Sequence, residues 1–247
     1  MLNMPAQLLL LLVTVVGPHA LPADPPAEPK PVRAERAEHY VAERIGRYEV
    51  RFNRELLERD PALADRVRLH LEADLDEIDH LFPARALERL SDIVIWVEHG
   101  GPEAVNGRGM GVHWSTGWLR EHGYLEEKVG CIEIAGAQDF IDWRRTQPYM
   151  LLHEFAHAYH WRIRDHFPPE VVAAYEKAKA DGRYESTPHT RNRAPERAYA
   201  MTNVQEYFAE LSEAYFALND FHPYTRPHLE AHDPEGLAAI EKAWNLE

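Results

Sequence analysis

The residues best suited to chemistry are two histidines and a glutamate in the run His-Glu-Phe-Ala-His at positions 153–157. Side chains four residues apart on an α-helix lie one turn apart on the same face. The imidazoles of His153 and His157 can then bind one Zn²⁺ at about 2.0–2.1 Å. Glu154 projects beside this pair, where a carboxylate can accept a proton from water that a metal activates. A catalytic zinc also requires a third protein ligand, which must come from elsewhere in the chain.

Three positions downstream of this run compete for the role of third ligand. The metzincin pattern requires glycine at position 160 and histidine at position 163, but the chain has His160 and Ile163 there. Glu176 follows His157 at the interval found in zinc aminopeptidases, although its neighbours are typical of an exposed amphipathic helix. The third candidate is Glu206, which opens an acidic and aromatic segment.

Glu206 is the first of three acidic residues on one face of a predicted helix, with Glu210 and Glu213 at positions i+4 and i+7. Such a stripe is commonly a solvated surface, but its neighbours here are apolar, including Tyr207 and Phe208. A buried carboxylate requires a cation or hydrogen-bond donors, and zinc with its histidines would supply both. We therefore expect Glu206 to bind the metal and Glu210 to hold the far N–H of a ligand histidine. Glu213 is not expected to bind the metal.

Residues 199–210, Tyr-Ala-Met-Thr-Asn-Val-Gln-Glu-Tyr-Phe-Ala-Glu, resemble a segment of the anthrax lethal factor-like zinc metallopeptidases. That segment has the form Tyr-x-x-Thr-Asn-x-x-Glu-x-Phe-Ala-Glu and supplies the third ligand. The run at 153–157 is similar to the metal-binding helix of the same family, and the region from 48 to 247 is similar to small exported bacterial members. The resemblance implies that His153, His157 and Glu206 bind zinc. It also implies that Glu154 is the general base and that Tyr199 stabilises the oxyanion or assists the leaving group.

The composition is ordinary for a globular protein, with 247 residues, 41 acidic and 27 basic side chains and a net charge of −14. Because the chain contains no basic patch, nucleic acid is not an expected partner. The single cysteine, Cys131, excludes an intrachain disulfide. Its place in the run Cys-Ile-Glu-Ile-Ala favours a small buried side chain over a nucleophile.

The N-terminal residues read as a targeting segment. Leu8 to Val16 is apolar except for Thr14, and this run is too short to span a bilayer comfortably. We assign 1–20 to a signal peptide or an N-terminal anchor, 21–34 to a proline-rich linker and 35–247 to the folded domain. The protein is therefore expected to be secreted, periplasmic or attached to the cell surface. No stable membrane insertion is expected unless the N-terminal segment is retained.

Apolar periodicity predicts an α+β fold in which a small mixed sheet precedes the metal-binding helix and the C-terminal helices. With the resemblance, this indicates a single zincin-like metallopeptidase domain. Residues 182–197 are expected to form a long loop, and either Thr202 or Asn203 is expected to cap the following helix. The predicted strands are 48–53, 92–98, 110–114 and 131–135. The predicted helices are 61–81, 137–145, 148–164, 168–180, 203–218 and 233–245.

These features predict a zinc-dependent endopeptidase that binds one Zn²⁺ and acts on a peptide or protein substrate. An extended substrate is expected to pair with a sheet edge, for which 110–114 and 131–135 are the candidates. The loop at 182–197 is expected to flank the cleft. Two alternatives stay open, namely a non-catalytic zinc-binding module and a zinc amidase that acts on cell-wall peptides.

Overall fold

A computed structural model of the protein describes residues 36–100, 109–163, 168–191 and 194–245. The predicted targeting segment 1–20 and the linker 21–34 lie outside these described residues. No helix within the described ranges combines the length and the apolar character needed to cross a membrane. The structure has a mixed five-stranded sheet and several helices, which confirms the predicted α+β class.

The strands and helices of the described residues are numbered here in chain order. The strands are β1 Tyr40–Ile45, β2 Tyr48–Asn53, β3 Val94–Val97, β4 Met110–Val112, β5 Ile132–Ile134, β6 Thr187–Pro188 and β7 Pro195–Glu196. The helices are α1 Arg54–Arg59, α2 Pro61–Leu81, α3 Ala84–Arg89, α4 Thr116–Glu121, α5 Ala137–Trp143, α6 Met150–Ile163, α7 Pro169–Ala180, α8 Val204–Phe216, α9 Arg226–His232 and α10 Pro234–Ala243. Short 3₁₀ turns cover Ala37–His39, Glu126–Lys128 and Tyr199–Met201.

The main sheet has the strand order β1-β2-β3-β5-β4. Strands β2, β3 and β5 are parallel neighbours, whereas β1 and β4 run antiparallel to β2 and β5. Strand β5 is therefore paired on both sides, and β4 is an edge of the described sheet. Of the two predicted substrate-binding edges, only 110–114 is available, because the main chain of 131–135 is already paired.

The sheet divides the molecule into two layers of different character. One face carries apolar residues such as Val50, Phe52 and Ile95, which join the hydrophobic core together with α2 and α6. The other face carries Trp96 and Glu133, where aromatic and charged side chains pack together. Alternation along the strands produces this division, because successive side chains point to opposite faces.

Helix α6 lies at the centre of the fold, and every residue from Met150 to His160 is buried. It packs against α8 and strand β4, with α2, α3 and β5 around it. Apolar residues such as Leu151, Phe155 and Ala158 are spread around the helix, which favours a position that is covered on all sides. The helix therefore carries its two histidines and Glu154 into the interior.

The structure differs from the sequence prediction in several places. Helices α1, α3, α4 and α9 were not predicted, because each spans only six or seven residues and gives little periodic signal. Strand β1 was not predicted, because its residues after Tyr40 alternate only between half-buried and exposed and give weak contrast. The predicted long loop at 182–197 contains the short antiparallel pair β6 and β7, although residues 192–193 lie outside the described ranges. Two-residue strands that contain proline carry almost no periodic signal, so the pattern could not reveal them.

Candidate metal centre

Two histidine nitrogens of α6 meet a carboxylate from α8. The Nε2 atoms of His153 and His157 lie 3.1 Å apart. Oε2 of Glu206 lies 3.0 Å from His153 Nε2 and 3.3 Å from His157 Nε2. Three donor atoms therefore converge on one point, from residues that are at most 4% exposed. The ligands of a tetrahedral zinc with bonds of about 2.0–2.1 Å lie about 3.3 Å apart, so the residues fit this ion.

The N-terminal end of α8 fixes the position of Glu206. The side chain of Asn203 accepts a hydrogen bond of 2.9 Å from the backbone N–H of Glu206. This is an N-cap, which satisfies one of the free N–H groups at the start of the helix. Asn203 rather than Thr202 is therefore the cap, and Glu206 lies in the first turn of α8, facing α6.

The opposite edge of the His153 ring is held by a carboxylate that the sequence analysis did not choose. Oε1 of Glu213 lies 2.7 Å from His153 Nδ1, whereas Oε1 of Glu210 lies 3.8 Å away. The hydrogen bond expected from Glu210 is therefore made by Glu213, which is a correction to the prediction. Because Nδ1 donates to Glu213, Nε2 is the nitrogen of His153 that is left to bind a metal ion beside Glu206.

Two groups of buried side chains among the described residues have donor atoms close enough to hold one metal ion. The first is His153, His157 and Glu206, and the second is His153 with Glu210 and Glu213. The second group uses His153 Nδ1, the nitrogen that hydrogen-bonds Glu213, and it brings only one imidazole. Zinc favours nitrogen-rich sets, so the first group is the better match to this ion.

The pKa values of the converging side chains are shifted because these groups are buried next to one another. Burial alone would raise the pKa of Glu206, but the neighbouring His157 and His153 lower it to about 2. Burial alone would lower the pKa of His153, but hydrogen bonds to Glu206 and Glu213 raise it well above its ordinary value. Without a metal, these groups can hold a proton between them, and a metal ion would replace that proton as the shared positive charge.

Glu154 lies beside the converging atoms with its carboxylate enclosed. The side chain is fully buried, and neither Oε1 nor Oε2 has a hydrogen-bond partner among the described residues. Burial raises the pKa of Glu154, and the nearby His157 and His153 offset part of that rise. A buried carboxylate with no protein donor is costly unless water or a ligand completes its environment. This residue is therefore available to exchange a proton with something bound at the site.

Tyr199 lies at the border of the site, in the 3₁₀ turn that precedes α8. Its ring centroid is 6.3 Å from that of His153, and the residue is only partly buried. Burial, followed by the charges of Glu206 and Glu154, raises the pKa of the Tyr199 phenol above its ordinary value. The hydroxyl therefore stays protonated at neutral pH and can act as a hydrogen-bond donor.

The candidate Glu176 and the nearby His160 both lie away from the converging atoms. Glu176 is exposed on α7 and belongs to neither group of possible metal ligands. His160 is buried one turn beyond His157, between Trp114 and Phe208, and burial followed by His157 lowers its pKa to about 3. His160 therefore forms part of the wall behind the site.

Trp114 is a further aromatic residue beside the candidate metal centre. Its ring centroid lies 6.1 Å from that of His157 and 5.1 Å from that of His160, and the side chain is partly exposed. Trp114 lies two residues after the end of β4, so it connects the edge strand with the candidate metal centre. The position of Trp114 depends on which face of the sheet its side chain lies on. A short strand with a single tryptophan gives no sequence pattern from which that face could be predicted.

Comparisons of this chain with protein families, with curated proteins and with solved structures return no significant match. The resemblance to lethal factor-like peptidases therefore depends on the two sequence segments at 153–157 and 199–210. These are also the two segments whose side chains converge in the structure.

Proposed function

We propose that this protein is a zinc-dependent endopeptidase whose metal is held by His153, His157 and Glu206. The observation that carries the proposal is the convergence of two imidazole nitrogens and one carboxylate oxygen within 3.3 Å of one another in a buried site. Glu154 is the general base, and Tyr199 is the hydrogen-bond donor to the developing oxyanion. The HExxH spacing, the resemblance in residues 199–210 and the buried acidic helix all support the same assignment.

His153, His157 and Glu206 would hold the zinc, which when bound would supply Lewis acidity for a peptide carbonyl and for water. The chain supplies the proton transfers. The enclosed Glu154 carboxylate takes a proton from the attacking water and returns it to the leaving amine. Because burial raises the Glu154 pKa, the carboxyl group is better matched to this exchange at neutral pH than an exposed glutamate would be.

Tyr199 contributes a protonated phenol near the reacting atoms. Its raised pKa keeps the hydroxyl a donor, and a donor directed at developing negative charge is most effective in a site with little water. Glu213 has a positioning role, because its hydrogen bond to Nδ1 fixes the tautomer and orientation of His153.

The substrate is proposed to bind in an extended conformation along β4. An unpaired strand edge offers a row of backbone donors and acceptors to a peptide. Strand β4 packs against α6, and Trp114 extends from its end to the ring of His157. A peptide paired with β4 would run past the metal centre with Trp114 as one wall. An edge strand beside the proposed metal-binding helix is also the arrangement expected of a zincin-like domain.

Two alternatives from other classes differ in what they require of the site. A non-catalytic module would hold zinc in a closed set of four protein ligands, whereas three donors converge among the described residues. The enclosed Glu154 also has no purpose in such a module. A zinc amidase acting on cell-wall peptides would use the same residues on a different amide bond, so the substrate alone separates it from a peptidase.

The direct test is cleavage of a random peptide library by the zinc-loaded protein, with Glu154→Gln as the matched variant. We expect cleavage by the wild type, its loss on treatment with a zinc chelator and its return with added zinc. Cleavage that persists in metal-free protein would contradict the proposal. A zinc-loaded wild type that cleaves no library peptide would favour the non-catalytic module, or the amidase if it cleaves cell-wall peptides.

The ligand assignment has its own matched pair of variants. Glu206→Ala is expected to lose zinc, because it removes one of the three converging donors. Glu176→Ala is expected to keep it, because Glu176 is exposed on α7. Metal analysis of both purified variants measures the difference. Zinc retained in the first variant and lost in the second would instead support the aminopeptidase-like spacing.

A further inference from the structure

Asp233 is a fully buried carboxylate that the proposed chemistry does not use. It is the N-cap of α10, and its Oδ1 accepts hydrogen bonds from the backbone N–H of Gly236 at 3.0 Å and from Nη1 of Arg183 at 2.9 Å. Its Oδ2 accepts two more, from the hydroxyl of Tyr184 at 2.9 Å and from that of Tyr207 at 2.6 Å. Capping a helix accounts for the bond to Gly236 alone. The two tyrosines therefore connect Asp233 to other parts of the fold.

Tyr207 connects Asp233 to the helix that carries a proposed metal ligand. It directly follows Glu206 on α8, and both residues are fully buried. Successive side chains of an α-helix point about 100° apart, so Glu206 can face α6 while Tyr207 faces α10. The hydrogen bond from Tyr207 to Asp233 therefore limits the rotation of α8 about its own axis. The direction in which Glu206 points depends on that rotation.

Tyr184 connects Asp233 to the turn that carries the proposed oxyanion donor. The residue is buried, so its ring is fixed by packing as well as by its hydroxyl. Its main-chain carbonyl accepts a hydrogen bond of 2.9 Å from the backbone N–H of Ala198. Ala198 immediately precedes Tyr199 at the start of the 3₁₀ turn. A displacement of Tyr184 would therefore be passed to the backbone that carries Tyr199.

The contacts at Gly236 show how closely the carboxylate and one of the tyrosines are packed. A Cβ atom at this position would lie 2.5 Å from the hydroxyl oxygen of Tyr207 and 2.7 Å from Oδ2 of Asp233. Non-bonded carbon atoms pack at about 3.5–4.0 Å, so a side chain here would displace both groups. Glycine therefore lets the first turn of α10 approach these two atoms, which leaves them little room to shift.

We propose that Asp233 is a positioning residue that holds Glu206 and Tyr199 in place relative to each other. It acts on Glu206 through Tyr207 and on Tyr199 through Tyr184. This role rests on the proposed function, because the metal ligand and the oxyanion donor are assigned there. An active site tolerates little displacement of such groups, since an error of about 1 Å can lower the rate about 100-fold. One shared carboxylate fixes both supporting segments to the same point.

Two variants that each remove a single hydroxyl separate the two connections. Tyr207→Phe is expected to lower zinc affinity about tenfold, as for other groups that orient a metal ligand. Tyr184→Phe should leave zinc affinity unchanged but lower kcat about tenfold, because it loosens the turn that carries Tyr199. Competition with a chromophoric chelator measures the affinity, and turnover of a cleaved library peptide measures kcat. Asp233→Asn should show both losses.

A double-mutant cycle tests whether the effect of Tyr184 passes through Tyr199. When Tyr184→Phe is added to Tyr199→Phe, we expect no further fall in kcat. Tyr215→Phe is the matched control, because Tyr215 also lies on α8 and its hydroxyl is 3.4 Å from a carboxylate oxygen of Glu241. The control should keep the wild-type zinc affinity and kcat.

Two results would overturn the role of Asp233. In the first, Tyr184→Phe and Tyr207→Phe lose stability but keep the wild-type zinc affinity and kcat, which would make Asp233 a structural cap only. In the second, Tyr184→Phe lowers kcat as much in the Tyr199→Phe background as in the wild type. Because the tyrosine variants change no charge and keep the rings, the test stays valid even if Asp233→Asn does not fold.

Failure of the proposed function would give a different result. A wild type that binds zinc but cleaves no peptide would overturn the peptidase assignment and leave the role of Asp233 to the zinc affinities. A weaker affinity in Tyr207→Phe, with the wild-type affinity in Tyr215→Phe, would then support Asp233 as the group that positions Glu206. Equal affinities in the two variants would overturn it.

Discussion

The contact made by Glu213 shows what residue spacing can and cannot predict about two packed helices. Glu206, Glu210 and Glu213 share one face of α8, and the sequence analysis chose Glu210 as the partner of His153. An α-helix drifts by only about 20° over seven residues, so position i+7 faces nearly the same direction as position i. Glu213 therefore extends the line from Glu206 along α8, where it reaches the far edge of the same imidazole.

The two acidic residues should differ in their effect on zinc affinity. Glu213→Gln is expected to weaken zinc binding by about 10–100-fold, because it disturbs the group that orients His153. Glu210→Gln should weaken it less, since its oxygen is 3.8 Å from the ring. Titration with a chromophoric chelator measures both affinities. A larger loss in Glu210→Gln would restore the original assignment.

Glu154 is expected to affect turnover without affecting metal content. Glu154→Gln keeps the size of the side chain but removes the proton acceptor, so kcat should fall about 10²–10⁴-fold. Zinc should stay at the wild-type stoichiometry, because Glu154 is not among the converging donors. Turnover of a cleaved library peptide, with metal analysis of the same sample, gives both quantities. A variant with the wild-type rate would exclude Glu154 as the base.

At the scale of elements, the sequence identified the helices with long apolar repeats and missed elements whose residues have little contrast. The predicted helix at 61–81 coincides with α2, and 148–164 and 203–218 contain α6 and α8. Strand β1, the pair β6–β7 and the short helices α1, α3, α4 and α9 were not predicted. Which strand forms the edge could not be read from the pattern either, since sheet order depends on contacts between distant segments.

Loss of the N-cap of α8 should measurably lower the stability of the protein. Asn203→Ala removes the acceptor for the backbone N–H of Glu206 and should lower the free energy of unfolding by about 1 kcal/mol. Thr202→Ala is the matched control, because Thr202 is exposed and does not cap the helix. Urea unfolding of the metal-free proteins measures the difference without a contribution from bound zinc. Equal losses in the two variants would show that the Asn203 cap contributes nothing specific.

At the scale of the whole molecule, a buried ionic network lies on the face of the sheet opposite α6. The ammonium of Lys128, which is fully buried, contacts Glu133 and lies 2.9 Å from Glu98. His113 Nε2 lies 2.7 Å from the other oxygen of Glu133. In the sequence, Lys128 and Glu133 look like ordinary surface charges of a turn and a strand. Their burial follows from the pairing of β4 with β5 and from the turn that closes over them.

This network should contribute strongly to stability near neutral pH. Glu133→Gln leaves Lys128 buried with one carboxylate fewer, and we expect a loss of about 3 kcal/mol in the free energy of unfolding. Glu127→Gln is the control, because this exposed residue forms a surface ion pair with Arg51 that is worth at most about 1 kcal/mol. Chemical unfolding at neutral pH compares the two variants.

The effect of Glu133→Gln on stability should depend on pH, because the pKa of the Glu133 carboxyl is lowered in the folded state. Burial alone would raise the pKa of Glu133, but Lys128 and His113 lower it well below its ordinary value. Such a group stabilises the folded state above the unfolded pKa of about 4.3, and this contribution is lost as the pH falls further. The difference between wild type and Glu133→Gln should therefore be largest at neutral pH and shrink in acid. A difference that grows in acid would contradict the network's charge assignment.

The short length of strand β4 also affects whether copies of the protein aggregate through their sheet edges. An open strand edge can pair with the edge of another molecule and lead to aggregation, and short edge strands reduce that hazard. The described part of β4 spans only Met110–Val112 and includes Gly111, which adds no side chain to a second sheet. An edge this short offers few backbone hydrogen bonds to any chain that pairs with it. The choice among peptides that bind at this edge must then depend on the side chains around the strand. Trp114 would therefore affect peptide specificity more than the backbone of β4 does.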